Sequence, residues 1–381
     1  MHVKHLSVLG YRNYNQADLF LKPGVNLLVG RNGQGKTNLV EAILYCATLS
    51  SHRVSGYLPL INADSKQAII RLLAGFNDRE NLIELELNAE SNNRARINKA
   101  DINRVRDVLG FVQCIIFAPE DLVIVKGDPG DRRKFIDELL VQFSPRLAGV
   151  FSDYERVLKQ RNTLLKTSRG LAKDSPGLST LEAWDESLVK LGTEIIVQRF
   201  SLVQKLKPLI AKSYAEIADE KNDPSVAIKS SVFASNLEEG GEEITFGDSE
   251  SIANAFMNKL REVKPKELER GITLVGPHRD DLFFTLGTLP AKGYISHGET
   301  WSYALSLKLA SAHLLKAEAK AGDPILILDD VFAELDIVRR SRLVELISDF
   351  EQVIITAAVR EDVPTELVAT TFNIDHGKVL E

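Results

Sequence analysis

The chain has 381 residues, a net charge of −6, 44% hydrophobic residues and 26% charged residues, which predicts a globular protein of two or three domains. No apolar run approaches the roughly 20 residues that cross a bilayer, no signal-peptide pattern opens the chain, and the two cysteines form no C-x-x-C pair, so we expect a cytoplasmic protein without a membrane partner. Because the net charge is negative, any nucleic-acid binding must come from a local basic patch.

The first third of the chain, residues 1–125, has the pattern of β-strands joined by glycine-containing turns. Short aliphatic runs lie at four places, namely Val3–Leu9, Leu19–Leu21, Ala68–Leu73 and Ile83–Leu87. Runs of this length, bounded by polar and turn-forming residues, predict strands. We therefore assign residues 1–125 to the N-terminal part of a sheet-containing lobe.

A complete phosphate-binding loop lies between a predicted strand (25–29) and a predicted helix (38–44). The segment Gly30–Thr37 has the form G-x-x-x-x-G-K-[ST]. Its glycines let backbone N–H groups turn toward phosphate oxygens, and the helix N-terminus favours an anion. The pattern predicts an ATP·Mg²⁺ site in which Lys36 contacts the outer phosphates and assists catalysis, while Thr37 ligates the metal. The other predicted ATP contacts in this segment are Gly30, Arg31, Asn32, Gly33, Gln34, Gly35 and Asn38.

A second nucleotide-like motif, Asn98–Asp101, spells the N-K-x-D sequence that reads guanine in GTPases. The residues before it, 92–97, are too polar for the buried strand that this motif normally follows. The nearby D-x-x-G segment, Asp107–Gly110, comes after the motif instead of before it. We therefore interpret Asn98–Asp101 as a polar hairpin turn, and a GTPase is the less favoured alternative.

From about residue 126 the pattern becomes helical, which predicts an inserted, mainly helical lobe over residues 126–270. Apolar residues recur there at intervals of 3, 4, 3 and 4, which corresponds to two heptads of a helical seam. The residues of this seam are Leu181, Trp184, Leu188, Leu191 and Ile195. Because the seam stops at Gln198, we predict a short coiled-coil-like hairpin and not a long coiled coil.

The same lobe contains the basic stretch of the chain. Nine lysines and arginines but only five acidic residues lie between residues 131 and 170. Such side chains neutralise DNA phosphates, so we predict a DNA-binding surface here, with a solvated helix face as the alternative. The candidate DNA contacts are Arg132, Arg133, Lys134, Arg156, Lys159 and Arg161.

Residues 271–381 hold two further motifs. The first, Ser296–Glu299, precedes an apolar helical run at 300–310 and is similar to the signature of ABC ATPases. In that signature a serine hydroxyl, a glycine N–H and a helix N-terminus form a second phosphate cradle. We therefore predict that Ser296, Gly298 and Glu299 contact a nucleotide, and an ordinary N-capped helix start is the alternative.

The second motif is an apolar strand, 324–328, that ends in two carboxylates, Asp329 and Asp330. In P-loop ATPases this arrangement is the Walker B strand. Its first acid holds Mg²⁺, and the next acid polarises the attacking water. We therefore predict Asp329 as a metal ligand and Asp330 as a catalytic residue, and a buried strand that simply ends at solvent is the alternative.

The order of the motifs predicts an α/β fold. The ATPase lobe is of the ABC type, with a mixed sheet and helices, and it is formed by residues 1–125 together with 271–381, which contribute the signature, Walker B and the C-terminal part of the core. In ABC ATPases the signature reaches the nucleotide of a second chain. We therefore predict an ATP-dependent homodimer in which the signature acts in trans.

Several segments beyond these motifs resemble the RecF family, bacterial DNA-repair ATPases of the ABC/SMC-like group. The resemblance covers nearly the whole chain, and Phe117–Leu122 and Gly276–Leu282 are its most specific parts. The P-loop, signature and Walker B segments also match. The further matching segments are Gly10–Tyr14, Val125–Arg133 and Tyr154–Leu165.

The resemblance implies a slow ATPase that acts in recombinational and gap repair. It implies that the protein binds gapped or junction DNA in its ATP state and works with RecO and RecR. The expected outcome is loading of RecA onto single strands coated by single-strand-binding protein. It also implies that Arg12 and Asn13 lie at the ATP site.

Three positions depart from the usual ABC pattern. His297 stands where the signature usually has glutamine, and Thr356 stands where a histidine often follows the next strand. The segment 117–121, where the first lobe meets the helical lobe, contains no glutamine. We therefore expect no general base at Thr356, and we assign no residue to the role that this glutamine has in other ABC ATPases. An SMC-like chromosome-organising protein or a transporter ATPase subunit is the remaining alternative.

Overall fold

The computed structural model describes residues 1–77, 79–168, 176–218, 222–233, 247–318 and 322–380. Among these residues, no helix combines the length and apolar character needed to cross a membrane. The helices are α1 (Lys36–Thr48), α2 (Leu122–Lys126), α3 (Pro129–Phe143), α4 (Leu147–Thr167), α5 (Pro176–Ala218), α6 (Ser249–Arg270), α7 (Ala291–Tyr294), α8 (His297–Glu318) and α9 (Ile337–Ile347).

The described strands form three sheets. They are β1 (His2–Tyr11), β2 (Tyr14–Phe20), β3 (Gly24–Val29), β4 (Gln67–Phe76), β5 (Arg79–Asn88), β6 (Arg94–Ile97), β7 (Ala100–Asp101), β8 (Cys114–Phe117), β9 (Pro224–Lys229), β10 (Asp281–Leu286), β11 (Leu289–Pro290), β12 (Ile325–Asp329), β13 (Gln352–Ala357), β14 (Ala369–Asp375) and β15 (Lys378–Leu380).

The central sheet has the order β15-β14-β3-β13-β12-β8 and is parallel except for its edge strand β15. Strands β8, β12 and β13 are buried at every residue, and because successive side chains point to opposite sides, both faces of the sheet are covered there. In β12, Ile325 and Ile327 enter one hydrophobic core, whereas Leu326 and Leu328 enter another. Parallel pairing places the carboxyl ends of β3, β13 and β12 side by side, where the P-loop and the Walker B acids follow.

An antiparallel sheet, in the order β2-β1-β4-β5-β6-β7, encloses α1 against one face of the central sheet. The strands predicted at Val3–Leu9, Ala68–Leu73 and Ile83–Leu87 lie within β1, β4 and β5. Asn98 and Lys99 form the turn between β6 and β7 with φ of 51° and 70°. This left-handed pair is typical of a tight hairpin, so the hairpin interpretation is confirmed and the guanine-reading interpretation is wrong.

The helical lobe is built around α5, which runs for 43 residues. Its first half packs with α4 and α6, where seam residues Leu188 and Ile195 are buried. The helix does not end where the seam does at Gln198. Beyond this residue its apolar positions, such as Leu202 and Ile210, enter the core that covers the second face of the central sheet. One helix therefore belongs to both lobes.

A small sheet in the order β11-β10-β9 connects the two lobes. Strand β9 precedes residue 270 and β10 follows it, and the two pair along their length, with Val226 opposite Phe284. Strand β9 was not predicted from the sequence, because its six residues lie in a largely polar stretch. The domain boundary between residues 270 and 271 stays a prediction, although this pairing crosses it.

Candidate nucleotide-binding site

The P-loop, Gly30–Thr37, joins the carboxyl end of β3 to the N-terminus of α1, as the sequence predicts. Gly35 precedes the helix with φ of 115°, a left-handed conformation that other residues rarely adopt. A Cβ atom at this position would lie 2.6 Å from Tyr14 Oη and 2.8 Å from Asn13 Nδ2. Both the backbone conformation and the available space therefore require glycine.

The side chain of Lys36 lies across the loop and is only 3% exposed. Its Nζ atom donates to the backbone oxygens of Gly30, at 2.8 Å, and Arg31, at 3.4 Å. Neutral carbonyl oxygens leave the ammonium charge unbalanced, and phosphate oxygens make stronger, charge-assisted hydrogen bonds. The arrangement can therefore neutralise a phosphate that enters the loop.

An oxygen-rich cluster lies beside the loop, where α1, β12 and β13 meet. Thr37 Oγ1 donates to Asp329 Oδ1 at 3.0 Å, and Thr356 Oγ1 donates to the same oxygen at 2.7 Å. The Asp330 N–H in turn donates to Thr356 Oγ1 at 2.9 Å. Thr356 therefore holds the two acids of the Walker B strand in place. This role was not predicted, because it depends on the pairing of β12 with β13.

The donor set fits Mg²⁺. Thr37 offers a hydroxyl oxygen and Asp329 a carboxylate oxygen, both of which are hard ligands that Mg²⁺ prefers. Two ligands at right angles, each about 2.1 Å from an octahedral Mg²⁺, are about 3.0 Å apart. The distance from Thr37 Oγ1 to Asp329 Oδ1 is 3.0 Å, so these two atoms can occupy neighbouring positions around one ion.

Asp330 sits at the end of β12 with φ of 52° and ψ of 21°. This left-handed conformation turns the chain sharply after the strand. Burial raises the pKa of the Asp330 carboxyl above its usual value, the Lys36 ammonium lowers it, and the neighbouring Asp329 raises it again. A carboxylate whose pKa is raised in this way is a better proton acceptor, which suits a group that polarises water.

Arg12, predicted to lie at the ATP site, is held by Glu41 on α1. Arg12 Nε donates to Glu41 Oε2 at 2.8 Å, and Nη2 donates to Oε1 at 2.7 Å, which forms a bidentate ion pair. Glu41 is fully buried and also accepts a hydrogen bond from Ser51 Oγ at 2.5 Å. Sequence reasoning missed Glu41, although an acid within the apolar run 39–44 is an unusual feature.

A chain of side-chain hydrogen bonds follows the outer edge of the loop. Arg53 Nη1 donates to Asn38 Oδ1 at 3.0 Å, and Asn38 Nδ2 donates to Asn13 Oδ1 at 2.7 Å. Asn13 Nδ2 then donates to the backbone oxygen of Gln34 at 3.2 Å. The structure thus brings the predicted Asn13 and Asn38 together and adds Arg53, which no local motif marks. The remaining predicted loop residues are exposed, and they are Arg31, Asn32 and Gly33.

The signature segment forms a reciprocal cap at the start of α8. The Ser296 N–H donates to Glu299 Oε2 at 2.7 Å, and the Glu299 N–H donates to Ser296 Oγ at 3.2 Å. Hydrogen bonding from the Ser296 backbone N–H, followed by that from the Ser296 hydroxyl, lowers the pKa of the Glu299 carboxyl. Ser296 and His297 are exposed, so the N-terminus of this 22-residue helix faces solvent. The predicted cap and the predicted phosphate cradle are compatible with this geometry.

The segment without the expected glutamine, 117–121, is linked to the signature helix by an ion pair. Asp121 Oδ1 is 2.8 Å from Nζ of Lys308, which lies on α8. The second carboxylate oxygen of Asp121 accepts the Ala118 N–H at 2.8 Å. Both charged side chains are largely buried. Sequence reasoning missed this connection, because the two residues are far apart in the chain.

Two of the six predicted DNA contacts are corrected by the structure. Arg132 is buried and makes a bidentate ion pair with Asp281, at 2.6 and 2.9 Å. Arg161 is completely buried and contacts Asp185 and Glu267. Their guanidinium groups are occupied by carboxylates inside the protein. Neither arginine can therefore reach a DNA phosphate.

The other four candidates differ in how accessible they are. Arg133 is partly buried and donates to the backbone oxygen of Asp280 at 2.7 Å. Lys134 is exposed, but its Nζ atom donates to the backbone oxygen of Ser51 at 2.9 Å. Arg156 and Lys159 lie on the exposed face of α4. These four stay predictions, and the last two are the most accessible.

Comparison with known proteins gives one consistent result. Residues 2–375 match the family model described as the RecF/RecN/SMC N terminal domain. The DNA replication and repair protein RecF of Streptomyces avermitilis is 51% identical over 383 residues, which covers all of this chain and 99% of that protein. RecF of Frankia alni is 50% identical with the same coverage.

Solved structures agree. A structure of the recombination mediator protein RecF with ATP, from the RecFOR pathway, has a TM-score of 0.89 and 29% identity, covering all of this chain and 97% of that one. An Smc head domain from Pyrococcus furiosus has a TM-score of 0.54 and 16% identity, and this shows a shared fold alone. The predicted ABC-type α/β fold is therefore confirmed, and the chain belongs to the RecF family of DNA replication and repair proteins.

Proposed function

We propose that the protein binds ATP with Mg²⁺, hydrolyses it slowly, and uses the ATP state to bind DNA during recombinational and gap repair. The observation that carries this proposal is the cluster of Thr37, Asp329 and Asp330 beside a complete P-loop. A P-loop alone supports nucleotide binding, whereas the adjacent acids add a metal site and a group that can activate water. The RecF structure with ATP supports the choice of nucleotide.

Each side chain of the site has a distinct part in this reaction. Lys36 and the backbone N–H groups of the loop hold the phosphates, and Thr37 and Asp329 hold the metal. When bound, Mg²⁺ neutralises charge on the phosphate oxygens and fixes their orientation. Asp330 accepts a hydrogen bond from the attacking water and orients it toward the terminal phosphate.

Slow hydrolysis follows from the length of the Asp330 side chain. ABC enzymes usually place a glutamate here, and aspartate is one methylene shorter. Its backbone is also fixed, because the Asp330 N–H donates to the Thr356 hydroxyl at 2.9 Å. A misplacement of about 1 Å at a catalytic centre can cost on the order of 100-fold in rate. Slow turnover suits a clamp that stays closed for a set time.

We infer that two copies sandwich two ATP molecules, with Ser296, Gly298 and Glu299 acting on the nucleotide of the partner. The signature is exposed at the start of α8 and therefore accessible to a second chain. Its helix N-terminus carries partial positive charge that favours a phosphate. The Asp121–Lys308 ion pair connects α8 to the segment after β8, which gives the dimer interface a direct link to the central sheet.

We also propose DNA as the partner of the ATP-bound dimer, in duplex, gapped or junction form. Arg156 and Lys159 are the candidate phosphate contacts with the greatest exposure. Cooperation with RecR and RecO, and loading of RecA onto gapped single-stranded DNA, are proposed for this chain because its relatives act as recombination mediators in the RecFOR pathway. A cytoplasmic location accords with that role.

Binding of ATP·Mg²⁺ by Lys36 variants tests the proposal. We expect Lys36→Ala to abolish tight binding, because it removes the charge that the loop holds for the phosphates. Lys36→Arg should retain some binding and lose most hydrolysis, since a planar guanidinium does not replace a compact ammonium. Wild-type affinity in Lys36→Ala would refute the assignment. Binding of gapped DNA, measured with and without ATP at two salt concentrations, tests the DNA part.

A further inference from the structure

His52 is a largely buried histidine beside the Walker B acid, and neither the P-loop nor the signature includes it. It lies on the loop that follows α1, and its side chain is 10% exposed. Its Nε2 atom is 3.7 Å from Asp329 Oδ2. The hydrogen bonds from Thr37 and Thr356 reach the other carboxylate oxygen, Oδ1. His52 therefore faces the side of Asp329 that these two hydroxyls do not contact.

Neither ring nitrogen of His52 has a hydrogen-bond partner within the described part of the chain. A buried polar group left without a partner is destabilising, so its presence here requires an explanation. A shift of less than about 1 Å would bring Nε2 to the usual N–H···O distance from Asp329 Oδ2. Hydrogen bonds at catalytic sites often tighten in this way when the substrate binds.

The surrounding structure fixes the backbone of this loop and leaves the ring room to move. Ser51 Oγ donates to the buried Glu41 at 2.5 Å and accepts the N–H groups of Arg53 and Val54 at 3.0 and 3.1 Å. Lys134 Nζ donates to the Ser51 backbone oxygen at 2.9 Å. The imidazole borders a cavity of about 150 Å³. A small rotation of the side chain therefore needs no movement of the backbone.

We propose that His52 is a positioning residue of the metal site: its Nε2–H donates to Asp329 Oδ2 and fixes the carboxylate so that Oδ1 faces the ion. This inference rests on the proposed ATP·Mg²⁺ function. Carboxylates that ligate metals are themselves hydrogen-bonded, and the loss of such an outer partner typically costs 10–100-fold in metal affinity or activity. Thr356 contacts Asp329 Oδ1 from β13, so His52 supports the other oxygen of the same carboxylate from the α1 side.

The test is the affinity for ATP, measured by equilibrium binding across a Mg²⁺ titration and in EDTA. His52→Phe keeps the ring volume but removes the hydrogen-bond donor. We expect this variant to require at least about 10-fold more Mg²⁺ than the wild type to reach the same gain in ATP affinity. Metal-free ATP binding should stay unchanged, because in our proposal His52 acts only through the carboxylate of Asp329. His52→Gln should restore most of the Mg²⁺ response, since its amide nitrogen can donate from nearly the same position.

A matched control is His5→Phe. His5 also pairs with an aspartate, at 2.9 Å from Asp18 Oδ1, but on the exposed side of β1, and this variant should leave the Mg²⁺ titration unchanged. An unchanged titration in His52→Phe would overturn the inference while leaving ATP binding by the wild type intact. Equal losses with and without Mg²⁺ would also overturn it, because His52 would then shape the whole site. No Mg²⁺-dependent ATP binding by the wild type would instead refute the proposed function on which the inference rests.

Discussion

At the scale of single residues, Arg161 shows how one side chain can connect several helices. From α4 it donates to Asp185 on α5 at 2.6 Å and to Glu267 on α6 at 2.7 Å. A third bond, at 2.8 Å, reaches Thr273 Oγ1. All of these contacts are buried, and the arginine itself is 0% exposed. The guanidinium therefore compensates two carboxylates that would otherwise be isolated from water.

We expect Arg161→Ala to lower the free energy of unfolding by about 3–5 kcal/mol, because removing one partner of a buried ion pair leaves uncompensated charge. Arg156→Ala is the matched control on the same helix. Arg156 is 69% exposed and pairs with Asp153 at the surface, and such pairs contribute about 0–1 kcal/mol. Urea denaturation followed by circular dichroism measures both. Equal destabilisation by the two variants would contradict the structural role of Arg161.

The neighbouring acids Asp329 and Asp330 should separate metal binding from catalysis. We expect Asp330→Asn to keep ATP·Mg²⁺ binding and lose hydrolysis, because the amide cannot accept a proton from water. Asp329→Asn should weaken the metal site itself, since it changes the oxygen that lies 3.0 Å from Thr37 Oγ1. Single-turnover hydrolysis, with ATP affinity at several Mg²⁺ concentrations, distinguishes the two variants.

The Asp330→Asn variant also tests whether the ATP-bound dimer acts as a clamp on DNA. If hydrolysis opens the dimer, Asp330→Asn should leave DNA more slowly than the wild type in the presence of ATP. Its DNA affinity should still fall steeply with salt if the contacts are to phosphates. Normal hydrolysis by Asp330→Asn, or dissociation from DNA at the wild-type rate, would show that the clamp mechanism is wrong.

At the scale of elements, the helices and strands that could be predicted are those specified by residues close together in the sequence. The P-loop and its flanking strand and helix follow from eight consecutive residues and their apolar neighbours, and β12 follows from one apolar run that ends in two acids. Strands β1, β4 and β5 were also found, because each carries a short aliphatic run bounded by polar and turn-forming residues. These elements are specified by residues close together in the chain, so their positions in the structure match the prediction.

Elements that depend on distant partners could not be predicted. Strand β9 is stabilised by pairing with β10, which lies more than fifty residues later in the chain. The Asp121–Lys308 ion pair and the Thr356 hydrogen bonds likewise join residues from separate elements. In the same way, sequence alone could not separate Arg161 from Arg156, because the partners of Arg161 lie on α5 and α6. The helix pattern marks a basic residue but not the direction that it faces.

At the scale of the whole molecule, α5 and α8 connect the helical lobe with the ATPase core. The C-terminal half of α5 and most of α8 are buried in one hydrophobic core with the central sheet. The N-terminus of α8 is the signature. A partner that engages Ser296 therefore acts on a helix that is packed against both lobes, and this connects dimer formation to the position of the helical lobe.

This arrangement predicts that the protein is largely monomeric without nucleotide and dimerises with ATP. We expect Ser296→Arg to leave ATP binding intact, because in our proposal the signature acts on the nucleotide of the partner chain. The variant should block dimerisation, since a long cationic side chain would fill the cradle at the start of α8. Sedimentation velocity with and without ATP measures the assembly, and equilibrium binding measures the affinity for ATP.

Ser348→Arg is the matched control, because Ser348 is an exposed serine that follows α9, and it should dimerise like the wild type. Asp330→Asn should favour the dimer, because ATP is not consumed. The double variant of Asp330→Asn and Ser296→Arg therefore sets this stabilisation of the dimer against the loss of the signature contact. If the signature closes the dimer, the double variant stays monomeric in ATP. A dimer that forms without ATP and persists in Ser296→Arg would place the interface elsewhere and remove the basis for action in trans.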